Sequence, residues 1–172
     1  MAGPLLGATS VWADTSTDSI SGLVWFDRDA DHQRDNDEPA FGGSSVTITN
    51  LNDGSVTTAR TDAATGTYRA DGLAQGFYEV DGAQTGYAGT TARTTIVGVI
   101  AGHLVTADFG VRGATITGNT WNDATGDGIR QAGEPAHGGV QMYAYNSALA
   151  HAAEGTSDAS GNYKIQDLPA GG

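Results

Sequence analysis

There is no cysteine among the 172 residues of this chain. That single absence removes a disulfide framework, a thiolate zinc site and a cysteine nucleophile together. It leaves metal held by carboxylates as the available staple for a small unit. Basic residues are scarce as well, 8 Lys+Arg against 20 Asp+Glu, for a net charge of −12. Phosphate binding needs clustered Lys and Arg, so a nucleic-acid partner and an anionic membrane surface are both disfavoured. No apolar run approaches the roughly 20 residues of a spanning helix, so no membrane insertion is expected within this segment. The opening MAGPLLGATSVWADTS has no basic n-region and is interrupted by Gly3, Pro4 and Gly7; residues 1–16 read as an irregular linker or the remnant of a leader.

What the chain does have is glycine, 26 of them, spaced between short β-prone runs. SGLVWF at 21–26 is apolar, and SSVTITN alternates with Val46 and Ile48 on one face. Asn52-Asp53-Gly54 is a hairpin signal, and Ser55–Arg60 reads as the returning strand. Tyr68, then residues 77–80, 94–100 and 104–111 supply further strands, with turns every 8 to 12 residues or so, the pattern of an antiparallel β-sandwich. No segment carries a helical period. The expected class is therefore all-β.

Between the first two strands lies DRDADHQRDNDE, Asp27 to Glu38, with six acidic residues in twelve positions. Asp27, Asp29, Asp31, Gln33, Asp35 and Glu38 occupy positions 1, 3, 5, 7, 9 and 12 of a twelve-residue calcium loop. So many like charges repel one another strongly unless a cation sits among them. The flanks are strands, so this is EF-hand ligand spacing without EF-hand helices.

The stretch recurs. ISGLVWFDRDADHQRDNDEPAFGG from Ile20 realigns without a gap on ITGNTWNDATGDGIRQAGEPAHGG from Ile116, at a constant offset of 96 residues. The second loop offers Asp123, Thr125, Asp127, Ile129 (through its carbonyl), Gln131 and Glu134. Ser157–Tyr163 repeats Thr61–Tyr68 with one residue deleted, and Leu168-Pro169-Ala170-Gly171 repeats Leu73 to Gly76. The sequence thus predicts tandem units at 17–112 and 113–172, the second ending before any counterpart of FYEV or of the last two strands. A longer tandem array, with each unit meeting its neighbour, is the expected context.

The combined motif G-x-x-W-x-D-x-x-x-D, Glu-Pro-x-x-Gly-Gly, T/S-D-x-x-(x)-G-x-Y and G/D-L-x-x-G resembles the SdrD B-like (serine-aspartate repeat adhesin B-type) domains, within the collagen-adhesin B-type, prealbumin-like superfamily. The resemblance spans residues 20 to about 81 and 116 to 171. It implies an extracellular, calcium-binding (Ca2+), Ig-like β-sandwich that serves as a spacer in secreted or cell-surface bacterial proteins, with neighbouring repeats as its first partners and a host or matrix protein or glycan beyond them. Two departures bear on the site. His32 stands at position 6 of the first loop, where glycine makes the sharp turn, whereas Gly128 restores it in the second. Thr125 and Gln131 replace the carboxylates of Asp29 and Asp35. On charge, the first loop is expected to bind more tightly. Some relatives in that superfamily carry a Lys–Asn isopeptide cross-link; the first unit has no lysine, and Lys164, the chain's one lysine, falls in the Tyr163 strand.

Catalysis is not expected. Carboxylate pairs serve glycosidases, but here the acids sit at metal-ligand spacing, and no nucleophile-elbow, phosphate-loop or zinc-hydrolase motif is present. The four histidines, His32, His103, His137 and His151, share no motif. Trp25 and Trp121 fit either core bracing or sugar stacking. An adhesive or carbohydrate-binding module, or an accessory domain of a secreted hydrolase, is therefore the alternative to a spacer.

Overall fold

Strand β1, Ser19–Phe26, is the axis of the molecule, and the reason is its composition: SISGLVWF has apolar side chains on both faces and buries Ile20, Val24 and Trp25. The structure, a computed structural model, describes residues 18–170; the expected linker at 1–16 lies outside them. The remaining strands of the first unit are β2 (Ser45–Asn50), β3 (Val56–Arg60), β4 (Thr67–Asp71), β5 (Gly76–Asp81), β6 (Ala88–Gly89), β7 (Thr94–Val99), β8 (Leu104–Thr106) and β9 (Phe109–Arg112). No helix occurs among the described residues, and so none is long and apolar enough to cross a membrane.

Two layers form. One is β4-β1-β9-β6, with β8 also on β1, and the other is β3-β2-β5-β7. Between them pack Ile20, Val24, Val46, Ile48, Tyr68, Tyr78, Val80, Val97, Val99, Phe109 and Val111. Val46 and Ile48 face inward, as their alternation in β2 requires. Each aliphatic side chain buried this completely contributes about 1.5–3 kcal/mol. The chain is all-β, a β-sandwich.

The sandwich is antiparallel except at two pairings of β1. β1 pairs antiparallel with β4 but parallel with β8 (Ser19 opposite Leu104) and with β9 (Val24 opposite Phe109). The single run read at 104–111 is broken at Ala107-Asp108, where the Asp108 carboxylate accepts from Leu23 N at 2.9 Å and Ala107 N donates to the Ser21 carbonyl. Gly22 permits this crossing: a Cβ there would lie 1.8 Å from the Ala107 carbonyl oxygen. β6 carries no apolar alternation to announce it.

Residues 114–168 carry four further strands: β10 (Ala114–Asn119), β11 (Gln141–Tyr145), β12 (His151–Thr156) and β13 (Asn162–Leu168). They pair as β10-β13 and β11-β12 over a core of Ala144, Ile165 and Leu168. These are the pairings of β1-β4 and β2-β3 over again. With fewer strands over it, the second core leaves Ile116, Tyr143 and Tyr145 exposed.

Candidate metal centre

The loop Asp27–Glu38 is closed at its foot by backbone. Phe26 N donates to the Pro39 carbonyl and Phe41 N to the Val24 carbonyl, each at 2.9 Å, around the bridge between Trp25 and Ala40. Pro39 has no N–H to lose, and both chains leave the foot extended. Phe26, Phe41 and Tyr87 pack ring to ring beneath it, with centroids 4.9–5.6 Å apart. The twelve residues therefore start and end at one rigid point.

Inside the loop the acidic side chains are arranged rather than splayed. Asp27 is fully buried: its N donates to the Val111 carbonyl in β9, and its Oδ2 accepts from His32 N at 3.1 Å. Its Oδ1 is buried with no hydrogen-bond partner. Asp29 accepts from Asp31 N, and Asp31 accepts from Gln33 N at 2.7 Å, two turns in succession that carry the chain round. Glu38 is buried and reaches back across the loop, Oε1 accepting from Arg28 N at 2.5 Å and Oε2 from Asp35 N at 3.2 Å. Carboxylate oxygens of Asp27, Asp29 and Glu38 lie within 4.8 Å of one another, as do those of Asp29, Asp31 and Asp35. The Asp35 carboxyl is pushed up, first by the charge of Asp31, then by desolvation and by the charges of Asp29, Glu38 and Asp37.

The sharp turn falls where the sequence places it. His32 has φ 70° and Ala30 φ 64°; Gly128 and Gly126, their counterparts, have 75° and 72°. Histidine thus accepts a left-handed conformation that costs a side chain with a Cβ about 1–2 kcal/mol. The Asp123 carboxyl accepts from Gly128 N at 2.8 Å, as Asp27 does from His32 N, and that bond above all holds it below the usual carboxylate range.

The two loops part company in their side chains. In the second, Thr125 Oγ1 donates to Asp123 and Gln131 Nε2 donates to Asp127, so the neutral replacements occupy the carboxylates that remain. Glu134 still spans its loop, accepting from Ala124 N and Gln131 N at 3.0 Å each, and Asn122 N donates to the Pro135 carbonyl as Phe26 N does to Pro39. Among the described residues the second loop brings no three acidic side chains within 4.8 Å of one another. Ile129 is exposed and its side chain has no part in the loop. Asp27 and Glu38 are buried, whereas Asp123 and Glu134 are half-buried.

Sequence reading missed what buries Asp27. Gly110 in β9 lies against it, with a Cβ there falling 3.0 Å from the Asp27 Cβ and 2.4 Å from Thr90 Oγ1. These residues lie 63 and 83 positions downstream of Asp27 (90 − 27 and 110 − 27), and no local pattern ties them to the loop. Trp25 is 3% exposed, which makes it core and removes it as a sugar platform; Trp121 is half-buried.

The model of the SdrD B-like domain matches residues 10–98, just over half of the chain. The chain belongs to the SdrD B-like domain family. The match covers β1 to β6, β7 up to Gly98 and the whole of the first acidic loop, so the loop lies within the SdrD B-like match. No curated protein sequence matches the chain. Among solved structures it is similar to the Bacillus anthracis TIE protein (TM-score 0.44, 16% identity, 89% of this chain and 26% of that one). It is also similar to a streptococcal ancillary pilin (TM-score 0.42, 16% identity, 91% of this chain and 51% of that one). The chain spans well under two thirds of either.

Proposed function

We propose that this SdrD B-like chain is a non-catalytic, calcium-stabilised spacer of a secreted or cell-surface bacterial protein, built as two units at 17–112 and 113–172. The observation that carries the reading is Asp27. A fully buried carboxylate with Oδ2 held by His32 N, Oδ1 unpartnered and the carboxylates of Asp29 and Glu38 within 4.8 Å is a desolvated negative charge that a cation would compensate. A hard divalent cation is the group that such an all-oxygen donor set fits, because calcium takes six to eight oxygens in a flexible shell. Asp27, Asp29, Asp31, Asp35 and Glu38, with the Gln33 carbonyl, would hold it in the first loop. Asp123, Thr125, Asp127, Gln131 and Glu134, with the Ile129 carbonyl, would hold a second ion more weakly.

Bound there, the ion ties the end of β1 to the approach to β2 and replaces mutual repulsion by coordination. Because it binds the folded loop only, it adds RT ln(1 + [Ca]/Kd), about 2.7 kcal/mol at a hundredfold excess over Kd. A stiff unit of this kind suits a stalk, and it supports neighbouring repeats of the same chain as the first partners. The test is a thermal melt of the full chain in millimolar calcium and again in excess chelator. The reading requires a calcium-dependent rise in Tm; superimposable melts would reduce Asp27–Glu38 to a solvated acidic loop.

A further inference from the structure

Between β9 and β10 the chain crosses from one unit to the other through Gly113 alone. Domains joined this simply move relative to each other by default unless a substantial contact holds them. Here a specific contact does. Arg28, position 2 of the first acidic loop, extends its guanidinium to the carboxylate of Asp167 at the end of β13. Nε donates to Oδ1 at 3.2 Å and Nη2 to Oδ2, while Nη1 donates to the Asp37 carbonyl at 2.7 Å. The pair is bidentate and largely sheltered, the two side chains being 30% and 18% exposed. Beside it Ala170 N donates to the Gly86 carbonyl at 2.6 Å, next to Tyr87 of the aromatic trio under the loop. Gly113 itself abuts the Asp167 backbone, where a Cβ would come within 2.6 Å.

Neither partner is among the residues that the two units share. The counterpart of Arg28 in the second loop is Ala124, and the counterpart of Asp167 in the first unit is Gly72. Gly72 has φ 68° and Asp167 φ 62°. Aspartate therefore occupies a left-handed corner that glycine fills elsewhere, and bears the backbone cost. The arginine sits on the first loop and the carboxylate on the second corner, so the pair joins these two units in one direction.

We propose that the first acidic loop is also a docking surface, whose partner is the corner Asp167–Ala170 of the following unit, and that an ion in the loop locks the joint through Arg28. The role of the ion rests on the calcium reading above; the docking surface does not. The link between them is Glu38. Its Oε1 receives Arg28 N, so the carboxylate that would close over the ion also fixes the backbone from which the guanidinium extends. Asp29, Asp37 and Glu38 from the loop and Lys164 and Gln166 from β13 line the same small cleft.

The absence of cysteine makes the test clean. Thr57→Cys and Ser147→Cys put one spin label on an exposed site of each unit of the full chain, and pulsed EPR reads the distance distribution in calcium and in chelator. Melts of the same labelled proteins report ion binding separately. The expected result is a narrow distribution in calcium that loses its narrow component in chelator. The same loss is expected in calcium for Arg28→Ala and for Asp167→Asn, which keeps a residue tolerant of the corner, with their calcium-dependent Tm rise retained. A narrow distribution that survives Arg28→Ala, or a broad one in calcium-loaded wild type, overturns the docking surface. A Tm that responds to calcium beside a distribution that does not respond to chelator overturns the lock while leaving the metal site standing. A Tm that does not respond removes the metal site and the lock with it.

Discussion

Replacing Asp27 by asparagine should change sign with the metal. In chelator the native carboxylate is fully buried, with Oδ1 unpartnered and Asp29 and Glu38 within 4.8 Å. Leaving one buried acceptor unsatisfied costs about 1–3 kcal/mol, more when it is charged. The substituted carboxamide would keep an oxygen for His32 N, remove the charge, and turn two N–H donors toward the neighbouring carboxylates. The Asp27→Asn chain in chelator is therefore expected to be as stable as wild type or more stable. In calcium the variant lacks a charged ligand, and a wild type poised a hundredfold above Kd stands to lose up to about 2.7 kcal/mol. At about 4–8 °C per kcal/mol for a domain of this size, the calcium-dependent rise in Tm should shrink by about 10–20 °C. Paired melts by circular dichroism measure both arms. An equal loss of Tm in calcium and in chelator would refute the reasoning, because it would make Asp27 a structural hydrogen-bond acceptor and nothing more.

Three further outcomes follow from the same contacts. Gly22→Ala should destabilise by at least about 3 kcal/mol, since the new methyl meets the Ala107 backbone at 1.8 Å; Gly118→Ala, whose nearest neighbour is the Tyr163 ring, should cost only about 1 kcal/mol. Urea titration of the two variants separates them, and equal losses would contradict the crossing at Ala107. His32→Gly should stabilise by about 0.5–1 kcal/mol, the relief of about 1–2 kcal/mol of left-handed strain being offset in part by a freer unfolded chain; a lower Tm would mean that the exposed imidazole makes a contribution of its own. Asp62 is held below the usual carboxylate range first by the Thr65 backbone N–H, then by the Thr65 hydroxyl and Ala64 N, and Asp53 by Ser55. Both contribute stability that is present above their unfolded pKa and lost as pH falls through the depressed folded value. Stability measured downward from about pH 4, the ordinary carboxylate range, should therefore fall less steeply in Asp62→Asn than in wild type; parallel curves would show that the turn does not depend on the charge.

The fold was legible where the pattern is local and opaque where it is not. Alternation placed Val46 and Ile48 in the core, Asn52-Asp53-Gly54 made the hairpin with Gly54 at φ 73°, and the twelve-residue spacing placed the left-handed residues at His32 and Gly128. What escaped is non-local. The parallel pairing of β1 with β8 and β9 joins residues some eighty apart, and nothing in LVTADFGV announces that Asp108 would break it in two. β6 is two residues long. Arg28 gave no signal because its counterpart is alanine, and comparison of the repeats highlights what they share rather than what one unit uses alone.

The two acidic loops, so alike in spacing, differ in their side chains and in what covers them. One difference is in the side chains: Thr125 and Gln131 donate hydrogen bonds where the first loop has the carboxylates of Asp29 and Asp35. Another comes from β9. The Val111 carbonyl accepts from Asp27 N, Gly110 lies against the Asp27 side chain, and together they exclude water from the Asp27 carboxylate. Among the described residues of the second unit no such strand covers Asp123, which stays half-buried and finds its hydrogen bonds from Gly128 and Gly126. A desolvated carboxylate gains more from a cation than a hydrated one does. The strand that closes the first sandwich thus also sharpens its acidic loop, and it runs on through Arg112 and Gly113 into the following unit. The proposed ion site, the closure of the sandwich and the proposed inter-unit joint converge on one short stretch of chain, so a change at Gly110 or Val111 should be felt at all three.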